Sequence, residues 1–147
     1  MATILTYNPY ATIASLLTTE FNSLADAGFS AASAAQGADG TGGPLYGDFE
    51  LVLASLNPTV YTIAELYLIR AADGTNYEDA PSGTNPASNA YVGTFIGSDA
   101  SAAARLVLPK VELPPGLWKA LIKNTAGVAM AASANTLKIR AYNLLST

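Results

Sequence analysis

The chain has 147 residues, neither cysteine nor histidine, 12% charged residues and a net charge of -4. These numbers exclude disulfides, Cys-ligated metal sites and every triad or general base that needs an imidazole. The length suits one domain, and with half the residues apolar a core needs no covalent staples.

The acidic balance argues against nucleic acid as a partner, because such binding rests on many Lys and Arg contacts to phosphate. Residues 1–100 hold ten acids and one base, Arg70, whereas residues 101–147 hold six bases and one acid, Glu112. Either acidic and basic strands are neighbours in one sheet, or oppositely charged faces of neighbouring subunits meet in an assembly. The N-terminal residues lack a basic and apolar leader pattern, and no apolar run approaches the ~20 residues of a membrane span, so no membrane partner is expected.

In chain order, Ile4 to Tyr7 form a short apolar run that ends at Asn8-Pro9, a pair suited to a helix cap and first turn. Ile13, Leu16, Leu17, Phe21 and Leu24 then fall on one stripe of period near 3.6, which predicts a helix over about 12–27 ended by Gly28. Residues 29–47 are rich in Gly and Ala and read as a linker. These features predict an N-terminal arm over 1–43 and a compact body over 44–147. In that division the five stripe residues anchor the arm to a partner, and the body folds without it.

The body reads as strands. Residues 48–55 alternate Phe49, Leu51 and Leu53 with Glu50, Val52 and Ala54. Residues 61–70 favour strand through their β-branched and aromatic content. Residues 73–89 form a polar, turn-rich loop, and 91–96 and 103–108 are further strands. Pro109, Pro114 and Pro115 mark an edge or a bend. Residues 117–123 and 137–142 alternate cleanly, with a turn at Asn124 to Gly127 and a short extra strand at 128–130 between them. About seven short strands joined by turns predict a mainly β fold, an antiparallel β-sandwich of jelly-roll type behind the helical arm.

Candidate chemistry is sparse. Asp73, Glu78 and Asp79, with Asn76, offer oxygen ligands for Ca²⁺ but match no EF-hand spacing. Acid pairs of this kind are usually solvated, and no aromatic-lined cleft supports glycoside hydrolysis. Gly37, Gly40, Gly42 and Gly43 lack the Lys-Ser/Thr of a phosphate loop. Lys119, Lys123, Lys138 and Arg140 would make one basic strip if their strands were adjacent, and Tyr77 and Tyr91, near the polar loop, offer rings on which a sugar could stack. No catalytic residue, cofactor or metal ligand is expected.

Several segments taken in order resemble small virion proteins of tailed bacteriophages. They are Leu17-Thr18-Thr19-Glu20-Phe21-Asn22-Ser23-Leu24, Tyr46-Gly47-Asp48-Phe49-Glu50-Leu51, and Glu65-Leu66-Tyr67-Leu68 leading to Asp73-Gly74-Thr75-Asn76-Tyr77. Leu113-Pro114-Pro115-Gly116 and Asn135-Thr136-Leu137-Lys138 complete the set. The resemblance implies a non-enzymatic β-sandwich on the phage particle. The expected role is a capsid cement or decoration protein on the capsid surface, made in the host cytoplasm. Its expected partners are the major capsid protein and further copies of itself, with a trimer favoured by analogy to three-fold capsid sites. The alternatives are a tail, fibre or head-spike component, or a carbohydrate-binding adsorption module using the 73–89 loop.

Overall fold

The computed structural model describes residues 5–9, 12–37, 43–78, 85–97 and 103–146. The strands are β1 (Leu5–Pro9), β2 (Ala14–Leu17), β3 (Tyr46–Leu53), β4 (Thr62–Ala71), β5 (Tyr91–Ile96), β6 (Ala104–Glu112), β7 (Leu117–Asn124) and β8 (Thr136–Ser146). A single turn of 3-10 helix, Ser88–Ala90, precedes β5. One sheet has the order β1-β8-β3-β6, with β2 also paired to β8, and the other has the order β5-β4-β7. Among the described residues all strand pairs are antiparallel.

The alternation read from the sequence builds the core. Gly47, Phe49, Leu51 and Leu53 of β3 are buried while Tyr46, Asp48, Glu50 and Val52 are half-exposed, because successive strand residues face opposite sides. Phe49, Leu51, Leu137 and Ile139 of the first sheet share one cluster with Leu66, Leu68, Phe95, Trp118 and Ile122 of the second. The Phe49 and Trp118 rings lie 6.3 Å apart across it.

The expected helix over 12–27 is not formed. Ala14, Ser15 and Leu17 pair with β8, and a register shift between Ser15 and Leu17 lets the consecutive Leu16 and Leu17 both be buried. Residues 18–23 turn instead, and Ser23 and Ala27 take φ of 55° and 59°, outside the right-handed helical region. Thr12, Ile13, Thr18 and Thr19 are stiff at χ1 and weak helix formers, so the long-range ladder to β8 prevails over the local pattern. Asn8 and Pro9 likewise end a strand, opposite Asn143 and Tyr142, and cap no helix. Gly28 ends no helix; its carbonyl accepts the Asn124 N–H at 2.9 Å.

The expected arm is built into the body. Leu17 and Phe21 are fully buried in the main core. Residues 28–36, read as linker, run along the free edge of β7. Ser30 donates its N–H to Ile122 O and accepts the Ile122 N–H on Oγ, at 2.8 and 3.0 Å. Ser33 does the same with Ala120 at 2.8 and 3.0 Å, and Gln36 exchanges backbone bonds with Trp118 at 2.7 and 3.0 Å. Each hydroxyl in turn donates to the following carbonyl, Ala31 or Ala34. Three residues of this strap thus span two residues of strand, and the hydroxyl supplies the acceptor that a β-strand carbonyl would have provided.

The strap also covers the outer face of the second sheet. Leu121 points outward from β7 yet is fully buried, in a second cluster with Tyr67, Ile69 and Ala90 against which Phe29, Ala32 and Tyr77 pack.

The short strand expected at 128–130 is absent. That segment is a loop tied to the 23–24 turn by the Ser23 N–H to Ala131 O bond and the Met130 N–H to Leu24 O bond. The buried Asn124 and Asn135 hold it from inside. Asn124 Nδ2 donates to Leu24 O and Val128 O, and Asn135 Nδ2 donates to Ala131 O and Asn22 Oδ1.

Candidate functional site

Of the five residues expected to anchor an arm, Leu16, Leu17 and Phe21 are buried in this chain's own core and Leu24 packs on it, while Ile13 is 57% exposed. The stripe is therefore intramolecular packing, with Ile13 left at the surface.

The charge asymmetry is resolved inside the sheets. Asp48 and Glu50 of β3 stand opposite Arg140 and Lys138 of β8. Glu50 also meets Arg105 of β6, with Nη1 to Oε2 at 2.8 Å. In the second sheet Glu65 stands opposite Lys123, Nζ to Oε2 at 3.6 Å. Acidic N-terminal strands thus neighbour basic C-terminal strands. The single basic strip is not formed, since Lys119 and Lys123 lie on β7 and Lys138 and Arg140 on β8, in different sheets.

Two polar-aromatic clusters lie on the outer faces. On the first sheet the Tyr46 and Tyr142 rings stack at 5.9 Å, and Asp48 Oδ1 accepts the Tyr142 hydroxyl at 3.2 Å and the Lys110 N–H at 2.8 Å. Leu108 and Val111 pair with Phe49 and Gly47, so Pro109 and Lys110 together face Asp48 in a bulge where Lys110 takes φ of 51°. On the second sheet Tyr67 meets Phe29 and Tyr91 edge-on at 5.5 and 5.7 Å. The Tyr67 hydroxyl donates to Glu65 Oε2 at 2.7 Å. Burial, together with that bond to a carboxylate, raises the Tyr67 phenol above its usual range. Tyr77 packs under Lys119, with Nζ 4.2 Å from the ring centre.

The polar loop begins as a self-contained turn. Asp73 Oδ1 accepts the Thr75 and Asn76 N–H groups, and Oδ2 accepts Asn76 Nδ2. The backbone and side-chain bonds from Asn76, with that from Thr75, lower the Asp73 pKa to about 2. Both Asp73 oxygens are thus engaged locally, and Asp79 lies outside the described residues. Among the described residues no three acids gather as a metal site. Gly37 serves close backbone packing: its φ is +80°, and a Cβ there would stand 2.1 Å from Gly116 O. Gly40 and Gly42 lie outside the described residues.

Two cavities stand out. An apolar one of about 180 Å³ sits between the sheets beside Trp118, Leu113, Ile139 and Ala141. A larger groove of about 430 Å³ runs between the free edges of β5 and β6, with Arg70, Asn89, Tyr91, Lys110 and Glu112 along it. Neither the strap nor this groove was among the expected sites. The strap had a legible signal, the three-residue recurrence Ser30, Ser33, Gln36. The groove had only Tyr91, already read as a candidate for sugar stacking, since its other residues are joined only by the fold. Among the described residues no helix is long and apolar enough to cross a membrane. No family model, curated protein or solved structure matches the chain.

Proposed function

We propose that this chain is a non-enzymatic structural protein of a phage particle. In this reading it is a capsid cement or decoration protein that lies across neighbouring major capsid protein subunits and associates with copies of itself. The observation that carries the reading is the strand order. If β1 and β2 are taken as one interrupted edge strand and the strap as the second strand, the sheets read 1-8-3-6 and 2-7-4-5. The pairs 1·8, 2·7, 3·6 and 4·5 are those of one long antiparallel hairpin rolled over on itself, which is a jelly roll. In the pairs 2·7 and 4·5 the order runs through the strap on β7 and β4 on β5. Jelly rolls recur in virus capsids and in lectins.

Two further features support the structural role. The chain carries few charges, and the two acids of β3, Asp48 and Glu50, stand beside bases of the neighbouring strands β8 and β6. The segments that resemble phage virion proteins include β3, β4 and the turn at Leu113 to Gly116, which are framework elements.

The test is co-sedimentation of the full-length protein with phage heads stripped of it. Saturation at a fixed ratio to the major capsid protein is the expected result. A few copies per particle would place the protein in the tail, a fibre or a head spike, and no binding to heads would overturn the cement reading. Light scattering of the free protein reports the self-association, with a trimer as the expected species.

A further inference from the structure

We propose that the groove between β5 and β6 binds a carboxylated sugar. The proposal does not depend on the capsid reading, since it concerns a separate surface of the same body.

The chain is net acidic, yet this groove gathers two cations, Arg70 and Lys110, against one carboxylate, Glu112. Among the described residues the ion pairs are Arg105–Glu50 and Lys123–Glu65, and neither groove cation takes part in one. Both are held on fixed backbone. Arg70 sits on the central strand β4, opposite Trp118. Lys110 sits on the bulge that Asp48 secures through the Lys110 N–H, and its ammonium lies 5.9 Å from the Tyr46 ring. Asn89 is on the helical turn before β5, and Tyr91 is 45% exposed with its hydroxyl 2.7 Å from Thr94 Oγ1. Leu108 and Val111 add apolar lining.

An Arg fork and a Lys point charge together recognise a carboxylate. Asn89 and Glu112 supply an amide and an acceptor for ring hydroxyls, and the apolar lining suits the C–H face of a pyranose. A volume of about 430 Å³ falls in the range of small-ligand sites and accommodates one or two sugar rings.

The experiment is a titration of the ¹⁵N-labelled full chain with a glucuronic acid-containing disaccharide and, separately, with its neutral glucose counterpart. Saturable shifts at residues 89–92 and 108–112 with the acidic sugar, weakened tenfold or more for the neutral one, are the expected result. Arg70→Gln and Lys110→Ala should each weaken binding at least fivefold. Lys138→Ala, on β8 and outside the groove lining, should leave it unchanged. All three residues are at the surface or half-exposed, so the folded spectrum serves as the control for each variant. Absence of saturable shifts, equal affinity for the neutral sugar, or wild-type affinity in Arg70→Gln would overturn the proposal. So would tighter binding of a short poly-glutamate peptide, which would assign the groove to a protein partner.

Discussion

The hydroxyl of Ser33 accepts the backbone N–H of Ala120 at 3.0 Å, across 87 residues of chain. Ser30 and Ile122 repeat the arrangement two strand positions away. Removing either hydroxyl strands a buried amide, at a cost of about 1–3 kcal/mol each. Ser30→Ala/Ser33→Ala is therefore expected to lose about 2–6 kcal/mol in urea unfolding. Amide exchange at Ala120 and Ile122 should accelerate more than at Leu66 in the neighbouring strand. Unchanged exchange at both amides would show that the strap does not protect β7.

Phe21 is fully buried in the main core. Phe21→Ala should cost about 3–5 kcal/mol, the usual range for emptying such a site. Deleting residues 1–43 removes Leu17, Phe21 and the strap together. The remainder should fail to give a cooperative melt, contrary to the detachable arm expected from composition. A truncated body with a sharp native transition would restore the arm. Head-binding assays accordingly require the full chain.

Gly127 has φ of +76°, and a Cβ on it would stand 1.9 Å from Thr59 Oγ1. Gly127→Ala meets both a backbone penalty of about 1 kcal/mol and a clash. We expect a loss of about 2–3 kcal/mol from the two together. Adding Thr59→Ala should recover the steric part and leave the backbone part. A double-mutant cycle with no coupling would contradict this contact.

The turn that holds Asp73 has a pH signature. Its carboxyl titrates at about 2, against an ordinary unfolded value of about 4. A depressed folded pKa means that the turn's contribution is present above about pH 4 and disappears as pH falls through about 2. Because Asp73 is solvent-exposed, the clean readout is its own titration by carbonyl NMR. Asn76→Ala should move the midpoint up toward the ordinary carboxylate value. Glu20 offers a comparison: burial acts to raise its carboxyl, but the Thr18 and Thr19 N–H groups outweigh that and hold it low.

Local pattern alone determined the strands with alternating apolar residues. β3 alternates in burial throughout and β7 and β8 over part of their length, because side-chain direction in a strand depends only on the neighbouring backbone. The turn at Gly127 was equally legible, since a left-handed residue favours glycine wherever it occurs. The bulge at Pro109-Lys110 matches the bend that its proline predicted. What the tertiary structure decided was every element whose hydrogen-bond partner lies far along the chain. Ile13 to Leu24 carry a helical spacing, but β8 offered Ala14 to Leu17 a ladder and the core took Phe21. Residues 28–36 have the composition of a linker, yet the unpaired edge of β7 required donors and acceptors that Ser30 and Ser33 supply. The Arg70–Lys110 groove belongs to the same class. No local rule joins two residues 40 positions apart, and only the approach of two sheet edges puts them on one surface.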